Sequence, residues 1–110
     1  MSNDFPESDW KVLSRLRPLA LDRLCRQIVL ESEDIIVRVK EGGYHSAYLE
    51  LFKHIQKQDD ILSDCFGDWK RSQALIAIAN WRRENLITDE EFAALSMETR
   101  KTIGLYLGSG

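Results

Sequence analysis

Residues 74–79 read Ala-Leu-Ile-Ala-Ile-Ala and form the longest apolar stretch of this 110-residue chain. A helix built from this stretch is apolar on every side, and such helices usually lie at the centre of a domain with other helices around them. The stretch is far shorter than the ~20 residues that span a bilayer. We therefore expect it to form the central helix of a helical domain.

Two segments before this stretch carry apolar residues at helical spacing, with steps of three, four or seven. The positions are Leu21, Leu24, Ile28, Ile35 and Val39 in the first segment, and Tyr44, Tyr48, Leu51 and Ile55, broadened by Ala47 and Phe52, in the second. We expect an initial helix capped by Ser8 or Asp9. It should stop or kink before Pro18, where the next helix begins, because proline suits only a first turn. Gly42 and Gly43 end that second helix.

The C-terminal third contains clear signals for helix ends. Asp68 is expected to cap the central helix and Asn85 to end it. Thr88 and Glu91 have the spacing of a capping box, and Ser96 is placed to cap a last helix. These signals divide the rest of the chain into short helices.

The sequence therefore predicts an all-α fold. No stretch alternates apolar and polar residues as a half-buried strand does, and even residues 34–39, rich in valine and isoleucine, lie within a helical stripe. We expect one domain over residues 1–110, a single compact helical bundle of about four principal helices plus one or two short C-terminal helices. Residues 1–7 are expected to form a flexible N-terminal arm and residues 108–110 a tail.

Composition and charge favour a cytoplasmic globular protein. Apolar residues make up 44% and charged residues 30% of the chain, and the net charge of −3 gives no overall attraction to nucleic acid or anionic lipid. The first residues lack the basic and apolar regions of a secretion signal, and nothing in the chain predicts a membrane segment. Cys25 and Cys65 belong to no CxxC pair, so we expect two buried, reduced thiols.

The chain carries no recognisable catalytic or metal-binding motif. It has no GxSxG, no phosphate-binding loop and no HExxH. His45 and His54 are nine residues apart, so on one helix they face opposite ways, about 180° apart. We therefore expect no enzyme activity, cofactor or metal. An enzyme whose site combines Tyr44, His45, Glu50 and His54 in a cleft stays open as a third hypothesis.

Two groups of residues are the candidates for an interaction surface. The first is a basic cluster near the N-terminus, suited to nucleic acid or phosphate: Trp10, Lys11, Arg15, Arg17, Arg23 and Arg26. With a break at Pro18, these bases would spread around two helices rather than one face. The second is Trp81-Arg82-Arg83, residue types enriched at interface hot spots. The alternative for this second group is structural: Trp81 completes the core while the arginines favour a helix C-terminus.

The functional hypothesis is a small protein-binding module that serves as an adaptor, regulator or subunit and can self-associate. Between Glu31 and Asp68 there are nine acidic and four basic residues, complementary to the basic N-terminal cluster. If that cluster contacts the acidic segment of a second subunit, dimerisation should weaken as salt rises. The alternative hypothesis is a nucleic-acid-associated regulator that uses the basic cluster. Residues 71–100 resemble segments of many small bacterial helical proteins, without matching a family of known activity.

Overall fold

Five α-helices make up most of the chain in a computed structural model, which describes residues 5–39 and 42–108. They are α1 (Glu7–Val37), α2 (Tyr44–Phe66), α3 (Ala74–Arg83), α4 (Asp89–Ala93) and α5 (Met97–Tyr106), with a 3₁₀ turn at Arg71–Gln73 before α3. The described ranges contain no strand. The predicted all-α bundle with four principal helices and a short C-terminal one is confirmed. None of the helices in these ranges is long and apolar enough to cross a membrane.

α1 runs unbroken through Pro18, so the predicted break there is wrong. Pro18 has no N–H to donate to the carbonyl of Ser14, which costs the helix one hydrogen bond. Leu13 before the proline and Leu24 after it are both buried in one core. Packing of this continuous apolar face outweighs the local cost. The predicted cap is also wrong, because α1 begins at Glu7 and no side chain caps it.

The predicted N-terminal arm and tail lie partly outside the described residues. Of residues 1–7 the structure describes 5–7, where Phe5 is buried and Glu7 already belongs to α1. Residues 1–4 and 109–110, like 40 and 41 between α1 and α2, are outside the described ranges. Gly108, the first residue of the predicted tail, is exposed.

α3 is the central helix, as residues 74–79 predicted, and it packs against α1, α2 and α5. The rings of the three tryptophans stack in a row that ends at the fully buried Trp81 of α3. The ring centroids of Trp10 and Trp69 are 4.8 Å apart, and those of Trp69 and Trp81 are 6.2 Å apart. The predicted cap at Asp68 is wrong, because the chain continues through an extended residue, Lys70, and a 3₁₀ turn before α3 begins. That path brings Trp69 back against the core.

The predicted helix ends after α3 are confirmed. Asn85 takes up a left-handed conformation with φ of 59° just beyond α3. Thr88 and Glu91 form the capping box of α4, and the Ser96 hydroxyl accepts from the Thr99 N–H at the start of α5. These signals could be read from sequence because each involves residues within one turn of each other.

Asp9 is a carboxylate buried inside the fold, although it lies in the first turn of α1. Its Oδ1 accepts from the Ser96 N–H at 2.8 Å, and its Oδ2 accepts from the hydroxyls of Ser96 at 2.7 Å and Thr99 at 2.6 Å. Burial raises the pKa of Asp9, but the hydrogen bonds from Thr99 and Ser96 outweigh burial and lower the pKa overall. The carboxylate thus joins the start of α1 to the start of α5.

The molecule is elongated, with extents of 60 × 29 × 25 Å and a radius of gyration of 17.2 Å. A compact domain of this length has a radius of gyration near ~13 Å. The length comes from α1 and α2, which extend side by side beyond the other helices. We call residues 25–37 of α1 and 44–58 of α2 the distal hairpin, and the remainder of the described chain the body.

Replacing Asp9 by asparagine should lower the free energy of unfolding by about 2–4 kcal/mol at pH 7. Asparagine has one acceptor oxygen where Asp9 has two, so its NH₂ group would face either the Ser96 N–H or the two hydroxyls, and those buried donors would lose their acceptor. Urea unfolding followed by circular dichroism measures the effect. Asp22→Asn, which changes an exposed carboxylate on the same helix, should stay within about 0.5 kcal/mol of wild type. Equal effects of the two substitutions would contradict the role assigned to Asp9.

Candidate interaction surface

The distal hairpin buries little of its apolar surface. Between residues 25 and 64, Ile35 is the one buried side chain in the described chain. Of the fifteen large hydrophobic side chains exposed in the described ranges, nine lie between residues 29 and 55. Two packed helices can cover only the stripes that face each other, so the other apolar side chains of the hairpin remain in water.

One side of the distal hairpin is polar. A shallow groove between the helices is lined mainly by charged side chains: Glu31, Asp34, Arg38, Glu50, Lys53, His54 and Lys57, with Ile35 at its base. Arg38 pairs with Glu50 at 2.7 Å, and His54 Nε2 lies 3.2 Å from Glu31 Oε1. These two pairs also fix which levels of α1 and α2 lie side by side.

The groove contains only half of the four residues in the cleft-enzyme hypothesis. Glu50 and His54 line it, and each faces a residue of α1 rather than the other. Tyr44 and His45 do not line it and are exposed. The predicted opposite orientation of the two histidines is confirmed by His54 being half-buried against α1 while His45 is exposed.

The opposite side of the distal hairpin is apolar. On α1, Val29 and Ile36 lie about half a turn round the helix from the residues that line the polar groove, with the exposed Glu33 at the edge of the same side. On α2, Tyr48, Phe52 and Ile55 lie about half a turn round the helix from the α2 residues that line the groove. The rings of Tyr48 and Phe52 stack with their centroids 6.4 Å apart. The five apolar side chains are between 45% and 63% exposed. We call them the apolar side of the hairpin.

The sequence stripe on α2 merged two different sets of residues. Leu51 and Ala47 of that stripe are half-buried against α1, whereas Tyr48, Phe52 and Ile55 are exposed. The signal available in the sequence was the width of the stripe: residues 47, 51, 54 and 58 already form one line that faces a neighbour. A single antiparallel neighbour cannot also cover the additional apolar line through Tyr48, Phe52 and Ile55.

Two members of the predicted basic cluster are held inside the body by aromatic rings or backbone. The Arg17 guanidinium lies 4.8 Å from the Trp69 ring centroid and donates to the Phe66 carbonyl at 2.9 Å. Trp10 is half-buried and stacks on Trp69, and the Arg71 guanidinium lies 5.3 Å from the centroid of the Trp10 ring. Arg17 and Trp10 therefore have structural partners within the chain.

Arg23, a third member of the cluster, forms a bidentate pair with Glu91. The two hydrogen bonds measure 2.6 and 2.9 Å, and Arg23 also donates to the Leu86 carbonyl at 2.9 Å. The hydrogen bond from Arg23, aided by those from Thr88, outweighs burial and lowers the pKa of Glu91 to about 2. The pair ties α1 to the capping box of α4.

The remaining bases of the cluster lie along one exposed side of α1. Lys11, Arg15 and Arg26 fall within about 60° of one another because α1 does not break at Pro18, and all three are exposed. The bases of the cluster therefore lie on one helix rather than two, but they do not share one face, because Arg17 and Arg23 point towards the body. Continuity of α1 aligns these three side chains.

The residues of Trp81-Arg82-Arg83 divide between core and surface. Trp81 is fully buried and its Nε1 donates to the Cys65 carbonyl at 2.9 Å. The Arg82 guanidinium lies 4.5 Å from the Phe92 ring centroid and pairs with Asp89 at 3.0 Å. Arg83 is exposed and donates to the Asn80 side chain. The geometry agrees with the structural alternative for Trp81 and Arg82.

Both cysteines are free thiols. Cys65 is buried, as predicted, and burial raises its pKa to about 11, so it stays protonated at neutral pH. Cys25 is only half-buried, on the part of α1 where the distal hairpin begins. Within the described ranges, no group of three His, Cys, Asp or Glu side chains could hold a metal ion.

Comparisons with protein-family models, with curated proteins and with solved structures found no match to this chain.

Replacing Glu91 by glutamine should lower the free energy of unfolding by about 1–2 kcal/mol at pH 7, since solvent partly screens the pair with Arg23. Glutamine can still serve the capping box, so the substitution isolates the charge. Because the pKa of Glu91 is lowered from 4.5 to about 2, its contribution is present above pH ~4.5 and is lost as pH falls towards 2.

Urea unfolding at pH 7, 4 and 3 measures this dependence. The stabilities of wild type and Glu91→Gln should converge at the lower pH values. Glu90→Gln, an exposed neighbour on α4, should behave like wild type throughout. A constant difference between wild type and Glu91→Gln at all three pH values would contradict the assignment.

Proposed function

We propose that this protein is a small, non-enzymatic, protein-binding module, serving as an adaptor, regulator or subunit, and that it binds through the distal hairpin. The observation that carries the proposal is the uneven distribution of exposed apolar side chains. The body buries its own core, including all of Trp81, Leu86 and Ile103. The hairpin, by contrast, holds nine of the fifteen exposed large hydrophobic side chains in the described ranges.

The chemistry of the apolar side supports a protein partner. Contiguous exposed apolar surface bordered by charged residues is typical of interaction sites. Tyrosine and phenylalanine are enriched at the cores of protein interfaces, where charged residues are depleted. Tyr48 and Phe52 lie at the middle of the apolar side, and the Arg38–Glu50 ion pair and the contact between His54 and Glu31 lie on the other side of the hairpin. We place this activity in the cytoplasm, which suits the two free thiols.

Capture from a native lysate, divided into nuclease-treated and untreated halves, tests the proposal. The tagged wild type should retain a partner protein in both halves. Phe52→Glu should lose that partner at least 10-fold, because a charge would be buried in the contact. Leu105→Glu places the same charge on a more exposed apolar residue of the body (78% exposed, against 52% for Phe52) and should retain it. Equal capture by wild type and Phe52→Glu would contradict binding through the hairpin.

A nucleic-acid-associated regulator remains the second candidate, since α1 aligns the exposed side chains of Lys11, Arg15 and Arg26. Three phosphate contacts predict that affinity falls roughly 40-fold between 50 and 200 mM salt. Fluorescence anisotropy with labelled DNA and RNA measures this fall. Lys11→Ala with Arg15→Ala should flatten the salt dependence, whereas Lys101→Ala on α5 should not. No binding at 50 mM salt would exclude this candidate.

A further inference from the structure

We infer that the protein seated on the apolar side of the distal hairpin is a second copy of this chain. The two hairpins would pack face to face about a two-fold axis parallel to their length, with α1 of each copy against α2 of the other. This inference rests on the proposed function, because it assumes that the hairpin is the binding surface. It adds the identity of the partner and the arrangement of the contact.

The distal hairpin is one layer of a two-layer helical structure. Helical domains bury their apolar stripes between two layers, and four helices are the common solution. The hairpin supplies two helices, buries Ile35 alone between residues 25 and 64 of the described chain, and has one apolar and one polar side. A second identical hairpin supplies the two missing helices and the matching apolar side.

The apolar side complements itself in register. The pairs Arg38–Glu50 and Glu31–His54 show that residues 31–38 lie beside residues 50–54 of α2, so the apolar residues of both helices occupy the same part of the hairpin. A two-fold axis along the hairpin keeps every level of one copy opposite the same level of the other. Val29 and Ile36 of one copy then face Tyr48, Phe52 and Ile55 of the second.

Opposite charges border the apolar side. Arg26 and Asp59 are exposed, at the end of the apolar side nearest the body. Arg26 lies one turn before Val29, and Asp59 lies one turn after Ile55, so both border the contact. Neither forms an ion pair within the described chain. Placing α1 against α2 of the second copy brings Arg26 towards Asp59 twice, whereas placing α1 antiparallel to α1 separates them.

The exposed area of the apolar side is close to the area that a specific dimer buries. The five side chains of the apolar side are 45–63% exposed, which amounts to roughly 450 Å² of apolar surface in each copy. Two copies would remove about 900 Å² from water through these side chains alone, and the charged border adds to it. Specific interfaces require about 1,000 Å² or more in total. A dimer that buries both the apolar side and its charged border therefore reaches the area of a specific interface.

Sedimentation equilibrium of the full chain tests the inference over a range of concentrations. Wild type should sediment as a dimer at high concentration, and Phe52→Glu should raise the dimer dissociation constant at least 100-fold. Leu105→Glu is the matched control and should leave the constant unchanged. Circular dichroism checks that each variant keeps its helices. A monomeric wild type, or a dimer unaffected by Phe52→Glu, would overturn the inference.

Charge exchange tests the arrangement of the two copies. Arg26→Glu and Asp59→Arg should each weaken the dimer about 10-fold, because each creates two like-charge contacts. The chain carrying both substitutions should dimerise as wild type does. Failure of the double substitution to restore dimerisation would overturn the α1-against-α2 packing. A monomeric wild type that still captures a different protein through Phe52 would refute only this inference, whereas loss of both would refute the proposed function as well.

Discussion

The continuity of α1 is the constraint on which the rest of the structure depends. At about 1.5 Å per residue, its 31 residues span about 46 Å, most of the 60 Å length of the molecule. Its first half carries Leu13, Leu16 and Leu24 into the core of the body. Its second half carries apolar residues beyond that core, where only α2 accompanies it. A break at Pro18 would have separated these two functions of one helix.

The body uses its polar side chains mainly to hold itself together. Asp9 joins α1 to α5, and the Arg23–Glu91 pair joins α1 to α4. Arg17 is held against Trp69 and the Phe66 carbonyl. These contacts occupy groups that would otherwise suggest a charged binding site. The exposed apolar surface of the hairpin is therefore the stronger indication of where a partner binds.

Local features of the structure could be predicted from sequence, and long-range ones could not. The Thr88 capping box and the left-handed Asn85 depend on neighbours within one turn. By contrast, the continuity of α1 through Pro18 depends on a core assembled from several helices. The burial of Asp9 depends on Ser96 and Thr99, about ninety residues away.

The apolar side of the hairpin was present in the sequence but was assigned to the core. Tyr48 and Ile55 have the spacing of a buried stripe, and sequence periodicity does not say how many neighbours a helix has. Along the distal hairpin α2 has one neighbour, α1, which covers Ala47 and Leu51 and leaves Tyr48 and Ile55 exposed. Predicting that outcome requires the packing of the whole chain.

Amide hydrogen exchange tests most directly whether the hairpin needs a second layer. Exchange is followed separately in the body and in the distal hairpin over a range of protein concentrations. The account predicts that exchange in residues 25–37 and 44–58 slows as concentration rises, because association covers the apolar side. Exchange in α3 should not change with concentration. A hairpin that is as well protected as α3 at the lowest concentration, with no dependence on concentration, would contradict the account.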